Sequence, residues 1–413
     1  MPTFIMSILG FILAVLTPFA NILLTDLSVP FDENIAIAEE KVDGFIKGIC
    51  HTHNEYDLIN EANIEWIRED MPMPILADGT PDPSYLRWKE EMKEYLDNGI
   101  RVMGITPYPD EYIEIGLDPR VPENEAKIKE IAEFYITDLK GMVDVFQITN
   151  EMGVDRFTYP LTMEEAARFI GIQLEAMNPI KGDILIGYNL CAQALLNLPG
   201  LMKPYHQYCD YVGVDLYLGS FENILKNINQ YTFALKYVRR VTGKPVILCE
   251  FGYIGLGEPK TAAEKKAVLE SYGYSSEKEA AADVDNFISK LPKDIREEFE
   301  LQYANETDEY KANLLFKGEY KNHIYCELTE GTGLYGYDHT PEGQAKFYED
   351  IIPKIESLDF VIGAFIYCWQ DSANCYVCGQ AECPIETKWG IIEYNGTPKP
   401  AYYAIQKAFG EID

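Results

Sequence analysis

From Gly44 onwards the chain repeats one local pattern: a short apolar run, a polar residue at its end, then an amphipathic helical stretch. Eight such runs occur, at Phe45–Cys50, Ile64–Ile67, Ile100–Ile105, Val143–Thr149, Ile184–Tyr188, Tyr211–Leu216, Val246–Cys249 and Val361–Cys368. A run that is apolar on both faces suits a strand of a parallel sheet with both faces covered. The intervening helices supply the crossovers that parallel strands require. Eight strand–helix units predict one α/β domain over residues 44–413, a (β/α)8 TIM barrel, and 413 residues accommodate such a barrel with insertions.

The helices carry their own signals. Pro83–Asn98 places Tyr85, Trp88, Met92 and Tyr95 on one face at spacings of three and four. Glu123–Lys140 does the same with Ile128, Ile131, Phe134, Tyr135 and Leu139. Thr162 with Glu165 forms a capping box that opens a helix ending at Asn178-Pro179. A further helix is expected over Glu222–Arg240, and Thr340-Pro341 marks the start of another.

Two segments fall outside the repeat. The stretch at about 254–340, after the seventh run, is rich in Glu and Lys, with helical patterns at Thr261–Tyr272 and Glu277–Leu291. It is too long for an ordinary βα loop and is expected to be a helical insertion beside the barrel mouth, shaping access or simply elaborating the fold. At the other end, residues 1–24 carry no charge, the first being Asp26. Thr3, Ser7, Gly10, Ala14, Thr17 and Asn21 recur along them at steps of four and three, one stripe on a helix. The expectation is an N-terminal hydrophobic helix acting as a membrane anchor or uncleaved signal, with a cleaved signal or a helix packed on the barrel as the other readings. A membrane-anchored or secreted protein is therefore expected. Residues 25–43, acidic and without strong periodicity, read as a linker.

The formal net charge is −32, with 67 acidic against 35 basic residues. Such a surface repels phosphate backbones, which excludes nucleic acid as a partner and makes a neutral saccharide a better ligand than an anionic one. Of nine cysteines, Cys50, Cys249 and Cys368 sit in or at the end of apolar runs, where thiols act as small hydrophobes. Cys375, Cys378 and Cys383 share one loop and stay open between a disulfide with a spare thiol, a metal clip and free thiols.

The chemistry is carried by two strand ends. In VDVFQITNEMG the fourth run stops at Asn150 and Glu151, and in KPVILCEFGY the seventh stops at Glu250. Residues just past the strand ends of such a barrel line its reactive mouth. Two carboxyls facing one another there can cleave a glycosidic bond, one giving a proton to the leaving oxygen and the other attacking the anomeric carbon or activating water. His51 and His53 follow the first run and are expected in the pocket as hydroxyl binders. Two histidines without a third ligand make a poor metal site, so neither metal nor cofactor is expected.

On these residues the chain resembles the clan A glycoside hydrolases, retaining enzymes on a (β/α)8 barrel. Their signature is an Asn-Glu pair closing the fourth strand and a Glu closing the seventh, which ITNEMG and LCEFGY match. The resemblance implies that Glu151 is the acid/base, protonated at rest, and that Glu250 is the nucleophile, ionised at rest. It also implies that Asn150 holds the sugar hydroxyl next to the anomeric carbon. By the same resemblance Arg68 (IEWIRED) supports the nucleophile, Tyr217 (GVDLY) hydrogen-bonds it, and Trp369 (FIYCWQDS) stacks on a sugar ring. The closing GIIEYNGTPKPAYYAI is similar to the family's post-barrel segment. Met-Gly follows the Asn-Glu pair where many members have Pro, and TPYPDEY lacks a histidine found in some, so the resemblance leaves the sugar open. The expected activity is hydrolysis of β-glycosidic bonds through a glycosyl-enzyme, with transglycosylation by the same residues or a non-catalytic carbohydrate-binding barrel as the competing readings.

Overall fold

The computed structural model describes residues 33–220, 226–256, 261–318, 320–325, 333–375, 379, 381, 383–384 and 386–412, without the side chains of 33, 34, 155, 294, 322 and 323. The hydrophobic stretch 1–24 lies outside the described residues, as does Cys378. Among the described residues no helix is long and apolar enough to cross a membrane.

Eight parallel strands close into a barrel in sequence order: β1 Ile46–Cys50, β2 Trp66–Asp70, β3 Arg101–Ile105, β4 Val145–Gln147, β5 Leu185–Leu190, β6 Tyr211–Leu216, β7 Val246–Phe251 and β8 Val361–Ile366. β8 pairs back onto β1 through Ile46 and Gly363 to Ile49 and Ile366. Five of the strands, β1 and β5 to β8, are buried at every residue over five or six positions, which is the physical meaning of the uninterrupted apolar runs. Large and small residues interlock in the interior. A Cβ on Gly48 would stand 2.2 Å from the Phe365 ring, so the glycine is what admits that ring.

The capping signals form as read. The Thr162 hydroxyl accepts from Glu165 N at 3.2 Å and the Glu165 carboxylate accepts from Thr162 N at 2.8 Å, opening the helix Met163–Met177. Helix Pro83–Asp97 buries Tyr85, Trp88, Met92 and Tyr95 against the barrel, with Asp82 capping it. In helix Glu125–Asp138, however, Phe134 turns outward and is 43% exposed. The helix expected over Glu222–Arg240 begins only at Gln230, since 226–229 form a bend and a turn and 222–225 lie outside the described residues; it runs to Thr242 and ends on Gly243 at φ 70°, a left-handed cap suited to glycine.

Two strand ends differ from the sequence reading. β2 continues through Arg68 to Asp70, and β7 continues through Glu250 to Phe251. Arg68 and Glu250 are therefore strand residues pointing into the barrel mouth. The segment 25–43, read as a linker, contains the helix Glu33–Val42. Its Ile35, Ala38 and Val42 are buried, so three apolar residues at helical spacing outweigh the acidic composition.

After β7, the described residues include the short helices Ala262–Ser271, Glu277–Ala282, Val284–Ser289, Lys293–Tyr303, Asp308–Lys317 and Tyr320–Tyr325. They bury a core of their own, including Phe287, Phe299, Leu315 and Phe316, and this core is continuous with Tyr217, Ile254 and Trp389 of the barrel. The insertion thus backs one wall of the mouth.

Candidate active site

The mouth is organised by one cation. Arg68, 2% exposed, spends all five N–H groups on neighbours. Nη1 donates to Glu250 Oε1 at 2.6 Å and towards Cys50 Sγ at 3.9 Å. Nη2 donates to Asn150 Oδ1 at 2.6 Å and to Gln147 Oε1 at 3.0 Å, and Nε donates to Gln147 Oε1 at 3.1 Å. The other Glu250 oxygen, Oε2, accepts from the Tyr217 hydroxyl. Burial alone would push the Glu250 carboxyl up, but Arg68, the Tyr217 hydroxyl and His51 together hold it below the usual carboxylate range. Tyr217 is displaced the other way, pushed well up by burial and by the charge of Glu250, so it remains a donor.

Glu151 stands on a backbone that is bent to present it. Thr149 and Glu151 have φ of 55° and 46°, a left-handed conformation that side chains rarely adopt. Two hydrogen bonds over-determine it: Thr149 N donates to Thr106 Oγ1 at 3.0 Å, and Glu151 N donates to Asn189 Oδ1 at 2.9 Å. The Glu151 charge acts on Tyr217 and on Asp215, the residues that also flank Glu250. Both glutamates therefore stand near Tyr217 and Asp215, Glu250 on β7 and Glu151 just past β4.

Asn150 is oriented unambiguously. Its Oδ1 accepts from Arg68 Nη2, from Asn189 Nδ2 at 2.7 Å and from Gln147 Nε2 at 3.0 Å. Three donors on one oxygen fix the amide and leave its Nδ2–H groups to give a hydrogen bond to a ligand.

Several residues invisible to the motif reading complete the site. Asn189 on β5 and Asp215 on β6 hydrogen-bond one another and brace Asn150 and Glu151. Gly213 makes room for them, since a Cβ there would lie 2.9 Å from Asn189 Cβ and 2.5 Å from Cys249 Sγ. Each is a lone polar residue within an apolar run, in GYNL and GVDL, and that interruption was the available signal. Tyr367, just past β8, is half-buried and meets His51, Tyr217 and Trp389 edge-on at 5.3, 5.6 and 5.7 Å.

Two expected residues are placed elsewhere. Trp369 is fully buried, with Nε1 donating to Glu55 Oε2 at 3.1 Å and its ring against Tyr402 of the C-terminal helix Pro400–Gly410. It has no free face for a sugar, and Tyr367 takes the position at the mouth. His51 acts on Glu250, whereas His53 lines a separate cavity of about 280 Å3 with Thr52, Glu69 and Trp88. On the β2–β4 side the rim is aromatic: Tyr108 stacks on Phe157 at 5.1 Å and its hydroxyl donates to Asp70 Oδ1 at 3.2 Å.

No family model matches the chain, and no curated protein matches it in sequence. Solved structures match it in fold. The GH53 catalytic domain of Ignisphaera aggregans is 15% identical over 90% of this chain and 93% of that one, with a TM-score of 0.52. A β-glucuronidase of Bacteroides uniformis is 13% identical over 88% of this chain, with a TM-score of 0.52. A GH2 β-galacturonidase from Eisenbergiella tayi, bound to galacturonate, is 12% identical over 90% of this chain, with a TM-score of 0.50. The chain spans 35% and 51% of the length of these last two. At such identities the likeness is one of barrel fold.

Proposed function

We propose that this protein is a retaining glycoside hydrolase that cleaves β-glycosidic bonds of a neutral saccharide. The observation that carries the reading is a Glu250 held ionised at the mouth, with Glu151 near it past the end of β4. Glu250 is held ionised by Arg68 and Tyr217, and Glu151 stands past the end of β4 on a left-handed backbone braced by Asn189. In the first step a Glu250 oxygen bonds to the anomeric carbon as the bond to the leaving oxygen breaks, and the Glu151 proton passes to that oxygen. In the second, Glu151 takes a proton from water, the water oxygen bonds to the anomeric carbon, and Glu250 departs as a carboxylate. The Asn150 amide donates to the neighbouring sugar hydroxyl, and Tyr367 offers the sugar an aromatic edge.

The fold neighbours named for glucuronide and galacturonate point to uronic acids as sugars for those proteins. Here all five Arg68 N–H groups are engaged and the chain carries a net charge of −32, which supports a neutral sugar. Residues 1–24 support an anchored or exported enzyme by their composition.

The test is a panel of aryl β-glycosides and neutral β-glycans, with proton NMR following the anomer released. The β-anomer appearing first and the α-anomer growing by mutarotation fits the proposal. The α-anomer appearing first makes the enzyme inverting, and no turnover on any member removes the hydrolase reading.

A further inference from the structure

Asp215 is a third carboxyl in this site, and its surroundings are those of a neutral acid. Its side chain is 0% exposed and its Oδ2 accepts from Asn189 Nδ2. Its Oδ1 is buried without any hydrogen-bond partner. Arg68 Nη2 lies 4.0 Å from Oδ2, at the outer limit of an ion pair and beyond hydrogen-bonding reach, and every N–H of that guanidinium is already given to Glu250, Asn150, Gln147 and Cys50. A buried carboxylate with one neutral donor and one bare oxygen carries a poorly compensated charge, whereas a carboxylic acid in the same place leaves only an O–H without an acceptor, the smaller of the two costs.

We infer that Asp215 carries a proton in the resting protein and acts as a positioning residue, anchoring Asn189 so that Asn150 and Glu151 are held while the charge of Arg68 goes undivided to Glu250. This rests on the hydrolase reading for its catalytic consequence, although not for the protonation itself. Burial and the neighbouring charges together push Asp215 up, against the Arg68 charge and the Asn189 hydrogen bond. Burial raises it first and Glu250 next, Arg68 opposes, and Glu151 raises it again. Cys50 on β1, Cys249 on β7, Cys191 after β5 and Tyr217 after β6 also face it, and burial pushes all four up towards their neutral forms. One cation between two carboxyls leaves room for one anion, and the bonds award it to Glu250. The chain of contacts then runs from Asp215 to Asn189, and from Asn189 to the Asn150 amide and the Glu151 N–H.

The experiment uses the full chain without ligand. Difference infrared spectra of wild type minus Asp215→Asn near neutral pH are expected to show a protonated-carboxyl C=O band lost in the variant. A carboxylate band in its place overturns the inference whether or not the protein turns over any glycoside. In kinetics, Asp215→Asn mimics the neutral acid, so its pH profile of kcat/KM, scaled to its own maximum, superimposes on that of the wild type. If Asp215 is instead an anion, its removal lets the neighbouring carboxyls ionise more easily and both limbs move to lower pH, which contradicts the inference. Asp215→Leu keeps the volume but releases Asn189, and a loss of about 10- to 100-fold is expected on a normal glycoside but much less on its 2-deoxy analogue, which has no hydroxyl for Asn150 to grip. Equal losses on both substrates would show that Asp215 does not act through Asn150. Absence of activity on every glycoside would dispose of the hydrolase reading and leave the infrared result to stand by itself.

Discussion

Arg68 Nη1 and Glu250 Oε1 stand 2.6 Å apart, with side chains 1% and 8% exposed. Two charges so deeply buried are worth keeping only if each compensates the other and the remaining donors are satisfied. The guanidinium meets that condition through Asn150, Gln147 and Cys50, and the carboxylate through Tyr217.

Removing the cation tests the pair. Arg68→Met should lower kcat/KM by about 100-fold or more and move the acid limb of the pH profile upward, because Glu250 then gains its proton at higher pH. Glu250 is depressed when folded, so its stabilising contribution is present above the ordinary carboxylate range and is lost as pH falls through its folded value. Thermal denaturation should therefore show a deficit of about 3–5 kcal/mol near neutrality that narrows in acid. A constant deficit across pH would contradict the ion-pair account.

The Tyr217 hydroxyl gives a second, smaller handle. Tyr217→Phe removes one donor to the Glu250 carboxylate and should cost about 10-fold in kcat/KM, with a modest upward shift of the acid limb. The ring still packs on Trp389 and into the insertion core, so the melting temperature should change little. Steady-state kinetics beside calorimetry separates the two effects.

Tyr367 and Trp369 should differ in kind. Trp369→Ala empties a fully buried site and should destabilise by about 3–5 kcal/mol. Tyr367→Ala, at the half-buried mouth, should raise KM several-fold with a near-native melting curve. A large loss of affinity in Trp369→Phe would restore the tryptophan as the sugar platform.

Glu151→Gln should remove the general acid without removing the nucleophile. Glycosides with poor leaving groups should fall by about 100- to 10,000-fold, while those whose leaving group needs no proton are slowed far less in the first step. The alkaline limb should vanish with it. Its persistence would assign that limb to another group.

The barrel was legible because its signal is redundant: eight apolar runs, each followed by a helix with its own periodicity, leave few alternatives. Glu151, Glu250, Asn150, Arg68 and Tyr217 could be named in advance because each sits at a strand end or in a short motif, and the structure gathers all five at one mouth. The apolar runs do not carry depth past the strand end. Trp369 and Tyr367 are two residues apart, and only the three-dimensional path after β8, with Tyr402 and Glu55 closing over the tryptophan, decides which ring faces the mouth. Asn189 and Asp215 carry little signal in the sequence, because one polar residue inside a strand is a weak mark until its partners from other strands are known. In residues 33–42 an acidic composition masks three apolar positions on one helical face.

The central claim is that Glu250 attacks the anomeric carbon. The most direct measurement is Glu250→Ala assayed on an activated aryl β-glycoside with and without azide, with NMR of the product. The account predicts that hydrolysis is lost and that azide partly restores turnover by filling the space left by the carboxylate, giving the α-glycosyl azide. Hydrolysis that survives the substitution, or a β-glycosyl azide as the rescue product, would contradict it.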